Sequence, residues 1–227
     1  MSKLLNVSSS PHVRCGVSTK NLMYDVAIAM LPATIWGVMQ FGIYSLIVVV
    51  ATVLSCVLSE YLFETLMHKP VTISDGSALV TGMILGLNMP PAIPLWMPIL
   101  GGVFAIIVVK QLYGGLGQNW MNPALAARCF MLISFAQAMT KFTDPVTDAV
   151  ASATPLAAIK AGDTYDLAAM FIGKIPGTIG EVSVIALLIG AAYLLVKKVI
   201  TIRIPAAYIL SFAVFAFIFG QHNINYV

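Results

Sequence analysis

Apolar residues fall along this chain in blocks separated by short polar, glycine-rich or proline-rich breaks. The clearest block is Ile43 to Phe63, whose run Ile-Tyr-Ser-Leu-Ile-Val-Val-Val-Ala-Thr-Val-Leu-Ser-Cys-Val-Leu has the length needed to cross a hydrocarbon core about 30 Å thick. Leu22 to Val38 is a shorter span containing Pro32, a residue that membrane helices tolerate. Ser74 to Met89 is short and carries Gly76, Gly82 and Gly86, and Pro90, Pro91 and Pro94 close it. Leu95 to Tyr113 follows, interrupted by Pro98 and the pair Gly101-Gly102. Ala124 to Met139 is weakly apolar, and Ile179 to Val196 and Ile204 to Phe219 are the last spans. The pattern predicts an all-α, polytopic membrane protein of six or seven transmembrane segments, several of them short, broken helices rich in Gly and Pro.

Composition agrees with that pattern. Hydrophobic residues make up 59% of the 227 and charged residues 9%, with a mean hydropathy of +0.94. A soluble domain carries roughly 25% charged residues, so most of this surface must face lipid. The 12 basic residues form no patch interleaved with aromatics, which excludes a nucleic-acid footprint. Cys15, Cys56 and Cys129 are far apart and odd in number, so neither a disulfide framework nor a metal site is encoded. The first 20 residues are polar and hold Lys3, Arg14 and Lys20, which is not the pattern of a cleaved signal peptide.

Charge bias then orders the segments. With residues 1–21 as a cytoplasmic segment and Ser74 to Met89 counted as a crossing, His68, Lys69, Lys110, Lys197, Lys198 and Arg203 all fall inside. A polar stretch at about residues 141–178 then falls outside. If Ser74 to Met89 dipped in and returned, the Lys197 to Arg203 cluster would be outside, so the crossing is preferred.

Three motifs offer chemistry, each with a plainer structural reading beside it. Ser74-Asp75-Gly76-Ser77 is a capped helix start or the rim of an ion site in a broken helix. Gly114-Gly-Leu-Gly-Gln-Asn-Trp-Met-Asn-Pro123 is a turn into a helix, with Asn122 as N-cap and Pro123 at N1. Such a helix start can also receive a phosphate, with Asn119 and Asn122 as donors and Arg128 a turn and a half further on. Arg128 would otherwise be a snorkelling side chain, although a cation in such a helix is costly and usually paired. Asp148 to Pro155 reads only as a loop in which Thr154 caps a short helix. No Ser/His/Asp set, catalytic carboxylate pair or metalloprotease motif is present, so hydrolysis is not expected and no catalytic residue is assigned.

Ser10-Pro-His-Val-Arg14, Asp75 to Gly82, Gly114 to Arg128, Asp148 to Pro155 and Ile179-Gly-Glu-Val-Ser183 together resemble one family over nearly the whole chain. It holds the D subunit of the Rnf ferredoxin:NAD oxidoreductase complex and, more distantly, the B subunit of the sodium-translocating NADH:quinone reductase. In that family a flavin mononucleotide (FMN) is esterified through its phosphate to a threonine in the motif Asp-x-x-Ser-Gly-Ala-Thr. The resemblance implies Asp148, Ala153 and the acceptor Thr154 here, with Ala151 and Ser152 replacing the serine and glycine. It also implies a place for a second, non-covalent flavin and further chain beyond Val227. Expected partners are a second flavin-bearing subunit, iron–sulfur subunits and the lipid of the cell inner (plasma) membrane, with the flavin loop on the outer face. The implied function is electron relay coupled to Na⁺ or H⁺ movement, by a subunit that is not a complete enzyme alone. The alternative from another class is a channel or secondary transporter subunit.

Overall fold

The computed structural model describes residues 18–143, 150–151 and 167–219. Its elements are α1 (Thr19–Phe41), α2 (Ile43–Leu66), α3 (Ser77–Leu87), α4 (Trp96–Phe104), α5 (Pro123–Ser134), α6 (Ala136–Met139), α7 (Leu167–Ile172), α8 (Val184–Val196) and α9 (Arg203–Phe219). A π-helical stretch, Ala105–Lys110, and a 3₁₀ turn, Gln111–Tyr113, prolong α4 without a break. Apart from one two-residue antiparallel ladder, β1 (Phe142–Thr143) with β2 (Val150–Ala151), the described fold is helical. Helices α1, α2 and the run Trp96–Tyr113 are each long and apolar enough to cross a membrane, and α3, α5, α8 and α9 are shorter apolar helices.

The side chains are distributed inside out relative to a soluble protein. On α2 the buried positions include Ser45, Thr52, Ser55 and Ser59, while Ile47, Val50, Leu54 and Leu58 point outward. Lipid offers no hydrophobic drive for helices to associate, so close packing of small residues must hold them together. Gly82 of α3 lies so near α2 that a Cβ there would come within 2.6 Å of the Val53 Cα. Thr52 Oγ1 donates to the Val48 carbonyl at 2.7 Å and Ser55 Oγ to the Thr52 carbonyl at 3.0 Å, whereas Ser45 Oγ is buried without a partner among the described residues.

Contacts between helix ends sort the segments onto two faces. Gly76, just before α3, lies against Met23 and Tyr24 at the start of α1. Lys110, at the end of the π stretch, reaches Glu60 near the end of α2, and Tyr193 near the end of α8 reaches Asp25 on α1. On the opposite face the Tyr44 hydroxyl donates to the Ile93 carbonyl at 2.9 Å, Gln40 reaches the Gly173 carbonyl, and Trp96 meets Phe135. The chain therefore alternates from α1 through α5, and α8 returns. Helix α3 has only 11 residues, or about 16 Å of rise, yet residues 88–95 carry it on to the far face. The segment from Ser74 crosses, as the charge bias requires.

Three boundaries differ from the sequence reading. Pro98 and Gly101-Gly102 do not break the fourth span. Pro98 sits in the first turn of α4, where no backbone N–H is needed, and Gly102 packs on Ser55 and Cys56 of α2. The irregularity lies instead in the π-helical stretch. The helix expected over Ala124 to Met139 is interrupted at Phe135, whose φ of −132° and ψ of 47° are not helical. The span expected from Ile179 begins as a helix only at Val184, because residues 179–183 serve another purpose described below.

Candidate functional site

The first polar joint lies where α2, α3 and the π stretch meet. Glu60 and Glu64 are one turn apart on α2, at the end of its hydroxyl-bearing seam, and both are buried. The Lys110 ammonium donates to Glu60 Oε1 at 2.6 Å and to Ser77 Oγ at 2.6 Å. Gln111 Nε2 donates to the same Glu60 oxygen at 2.8 Å and to Glu64 Oε1 at 3.2 Å. The Thr72 amide donates to Glu64 Oε2 at 2.9 Å, and Glu60 Oε2 has no partner among the described residues. Glu60 thus pairs with the ammonium, and the Gln111 amide links it to the second carboxylate, in a region closed to solvent where ionisable groups are costly and mark ion or proton pathways. The sequence reading counted Lys110 as a loop charge facing the cytoplasm. It keeps that face, but its side chain is 2% exposed and ion-paired, so it is not a free loop charge. Glu60, Glu64 and Lys110 carried a signal in the sequence, since each interrupts or closes an apolar span. Asp75 takes the plainer role weighed for it, accepting from the Ser77 amide at 2.7 Å and the Ser77 hydroxyl at 2.6 Å.

The second joint lies at the C-terminal end of α3. A helix ending inside a membrane leaves carbonyls that water cannot reach. Residues 179–183 answer this: the Ile179 amide donates to the Met89 carbonyl at 3.1 Å and the Gly180 amide to the Leu87 carbonyl at 2.8 Å. Arg128 of α5 donates to Asn88 Oδ1 at 2.7 Å and lies 3.9 Å from Glu181 Oε2. Its positive charge sits beside the negative end of the α3 dipole. Arg128 is therefore paired, with Asn88 and Glu181. Asn88, Thr178 and Glu181 also form the polar end of a cavity of about 410 Å³ between α1, α3 and α8. Its remaining walls are apolar, and the buried Thr178 hydroxyl there has no hydrogen-bond partner among the described residues.

The third feature is the glycine turn. Gly114, Gly115 and Gly117 have φ of 112°, 96° and 87°, a left-handed sequence that bulkier residues would strain. Asn122 caps α5 as expected, its Oδ1 accepting from the Ala124 amide at 3.0 Å. Asn119 Oδ1 is buried without a partner among the described residues, so this residue keeps an unspent acceptor beside a helix N-terminus. The turn joins the Lys110 face to the start of α5. Thr143 and Leu167 bracket the polar loop, in which only Val150–Ala151 are described, and they lie beyond the other end of α5 and before Gly173. Asp148, Ala153 and Thr154 fall outside the described residues. The Asn119–Asn122 turn lies at the start of α5, whereas Thr143 follows its far end.

These features define a polytopic α-helical membrane protein whose helices are interrupted where buried polar groups meet. The sequence model of the NQR2, RnfD, RnfE family matches residues 6–227, and the chain belongs to this family. It is 47% identical to the D subunit of the Na⁺-translocating ferredoxin:NAD⁺ oxidoreductase complex of Acetobacterium woodii, over 97% of this chain and 71% of that protein. Identity to the D subunit of the proton-translocating ferredoxin:NAD⁺ oxidoreductase complex of Clostridium ljungdahlii is 39%, over 96% of this chain and 70% of the relative. The D subunit of the ion-translocating oxidoreductase complex of Methanosarcina acetivorans is 31% identical over 95% and 69%.

Proposed function

We propose that this chain is the flavin-bearing membrane subunit of an ion-motive ferredoxin:NAD oxidoreductase complex, relaying electrons between neighbouring subunits while the complex moves Na⁺ or H⁺. The observation that carries the reading is the match along nearly the whole chain to the D subunits of such complexes. Its partners are a second flavin-bearing subunit, iron–sulfur subunits and the lipid of the inner membrane. The N-terminus and the Lys197 to Arg203 loop face the cytoplasm, and the loop carrying Thr154 faces outward.

A flavin mononucleotide held through its phosphate on the Thr154 hydroxyl supplies electron exchange with an isoalloxazine ring left free of the linkage. Asp148 and Ala153 keep the attachment motif recognisable to a transferase. On the opposite face the Gly114 and Gly115 amides donate to the Gln111 and Lys110 carbonyls within the turn, and Asn119 has its unspent acceptor. That turn offers this acceptor to a ring N–H of a second, non-covalent flavin. Arg128 fixes the end of α3 and so holds the frame between the two places. The buried pair Glu60–Lys110, with one carboxylate oxygen unshared, supports a role in ion coupling.

A second reading, a channel or transporter subunit, is favoured by the cavity beside α1, α3 and α8. The mass of the peptide containing Thr154, from the complex made in its native host, separates the two. The expected mass is that of the peptide plus one flavin mononucleotide less one water. Thr154→Ala is expected to remove it while the subunit still inserts, Thr154→Ser to retain part of it, and Asp148→Ala to lower it. An unmodified peptide with all subunits present would defeat the flavin reading and leave the transporter one.

A further inference from the structure

The joint between α2, α3 and the π stretch holds an ammonium among oxygens that suit another cation. Glu60 is 0% exposed; its Oε1 takes the Lys110 ammonium at 2.6 Å, while its Oε2 has no partner among the described residues. The Ser77 hydroxyl gives its proton to Asp75 Oδ1 at 2.6 Å, so its oxygen lone pairs are left for Lys110, also at 2.6 Å. Glu64 is spent elsewhere. It accepts from the Thr72 amide and hydroxyl and from Gln111, and so holds the Gln111 amide against Glu60. The two Glu60 oxygens and that of Ser77 therefore lie around or next to the point that the ammonium fills. Carboxylate and hydroxyl oxygens are the ligands that a hard cation takes.

We propose that this point is a binding site for Na⁺, which Lys110 and the ion occupy alternately: the ion binds when the lysine side chain is turned away. The inference rests on the ion-coupling reading above for its purpose, and names the residues and the ion of that joint. One positive charge leaves as one arrives, so Glu60 is not left as a stranded buried carboxylate in either state, and no covalent bond changes. The helix itself supplies the means of turning. Lys110 is the last residue of the π-helical stretch Ala105–Lys110, and such stretches, which carry one residue more than an α-helix of the same length, recur at functional sites. Drawing this one into α register passes the extra residue to the turn beyond it and rotates Lys110 by about 100° around the axis, away from Glu60. The left-handed Gly114 and Gly115, just after the 3₁₀ turn Gln111–Tyr113, are the residues able to take up that change. A purely structural ion pair would need neither the open Glu60 oxygen nor a π stretch that ends on its lysine.

Amide hydrogen exchange tests the site, read by mass spectrometry on residues 57–66 and 77–87 of the assembled complex in sodium-free buffer. Lys110→Met keeps the stem and vacates the point where the ammonium sat. In that variant Na⁺ at about ten times its dissociation constant is expected to slow exchange in both segments roughly tenfold, whereas choline at the same concentration leaves it unchanged. Adding Glu60→Gln to Lys110→Met is expected to abolish the Na⁺ effect, and adding Ser77→Ala to weaken it. Deletion of Val108 imposes the α register with the lysine still present, and is expected to give the same dependence on Na⁺ as Lys110→Met. Should Lys110→Met fail to assemble, Lys110→Gln replaces it with the same expectation. Equal exchange in Na⁺ and choline, or a Na⁺ effect that survives Glu60→Gln, would overturn the site, whatever the mass of the Thr154 peptide shows. A Val108 deletion that assembles and ignores Na⁺ would overturn the alternation. An unmodified Thr154 peptide beside a clear Na⁺ effect would overturn the flavin reading alone.

Discussion

Replacing Lys110 by methionine tests the buried joint most directly. Methionine matches the length of the lysine stem, so packing is largely kept while the ammonium disappears. Its removal deletes two charge-assisted bonds of 2.6 Å, to Glu60 and Ser77, and leaves Glu60, which is 0% exposed, with only Gln111 as a donor. Stranding one member of a buried ion pair costs about 3–5 kcal/mol, whereas replacing both members by well-packed apolar residues is often close to neutral. Lys110→Met alone should therefore destabilise the protein by about 3 kcal/mol or more, and Glu60→Met with Lys110→Met should recover most of that loss. Unfolding in mixed micelles of increasing dodecyl sulfate, followed by circular dichroism, measures both, with Lys69→Met as an exposed-charge control. The reasoning fails if Lys110→Met behaves like the control, or if the double variant is as unstable as the single one.

Three other outcomes follow from the packing and the ends of the helices. Gly82→Val should loosen α2 from α3 by about 1–3 kcal/mol, because the new Cβ meets the Val53 backbone, and the same micelle titration reads it. Arg128→Lys replaces a planar fork by a point charge and should weaken the hold of α5 on Asn88 and Glu181, seen as faster proteolysis within residues 173–183. Wild-type resistance there would return Arg128 to a surface role. With the native cysteines removed, a cysteine at position 163 should react with an impermeant reagent in intact cells and one at position 200 should not. The reverse pattern would invert the proposed orientation.

Much of this protein was legible in its sequence because membrane burial is a constraint on composition. Blocks such as Ile43 to Phe63 must be helices, since no other single segment satisfies its own backbone in lipid. The basic residues at Lys69 and Lys197 to Arg203 ordered the crossings, and the helix ends meet as that order requires. Asn122 with Pro123 announced the start of α5 because capping is local chemistry. The resemblance to the family likewise needed only the motifs.

What the sequence left undetermined is what depends on partners far along the chain. Lys110 and Glu60 are 50 residues apart, and nothing local says that the ammonium turns inward rather than to a loop. The residues 179–183 look like the beginning of a helix until the carbonyls of Leu87 and Met89 claim their amides. Arg128 had several possible partners in the sequence, and only the packing of α5 against the end of α3 chose Asn88 and Glu181. The same packing set the Asn119–Asn122 turn and Phe135 at opposite ends of α5, since a helix written as a dozen letters also carries the chain from one face to the other.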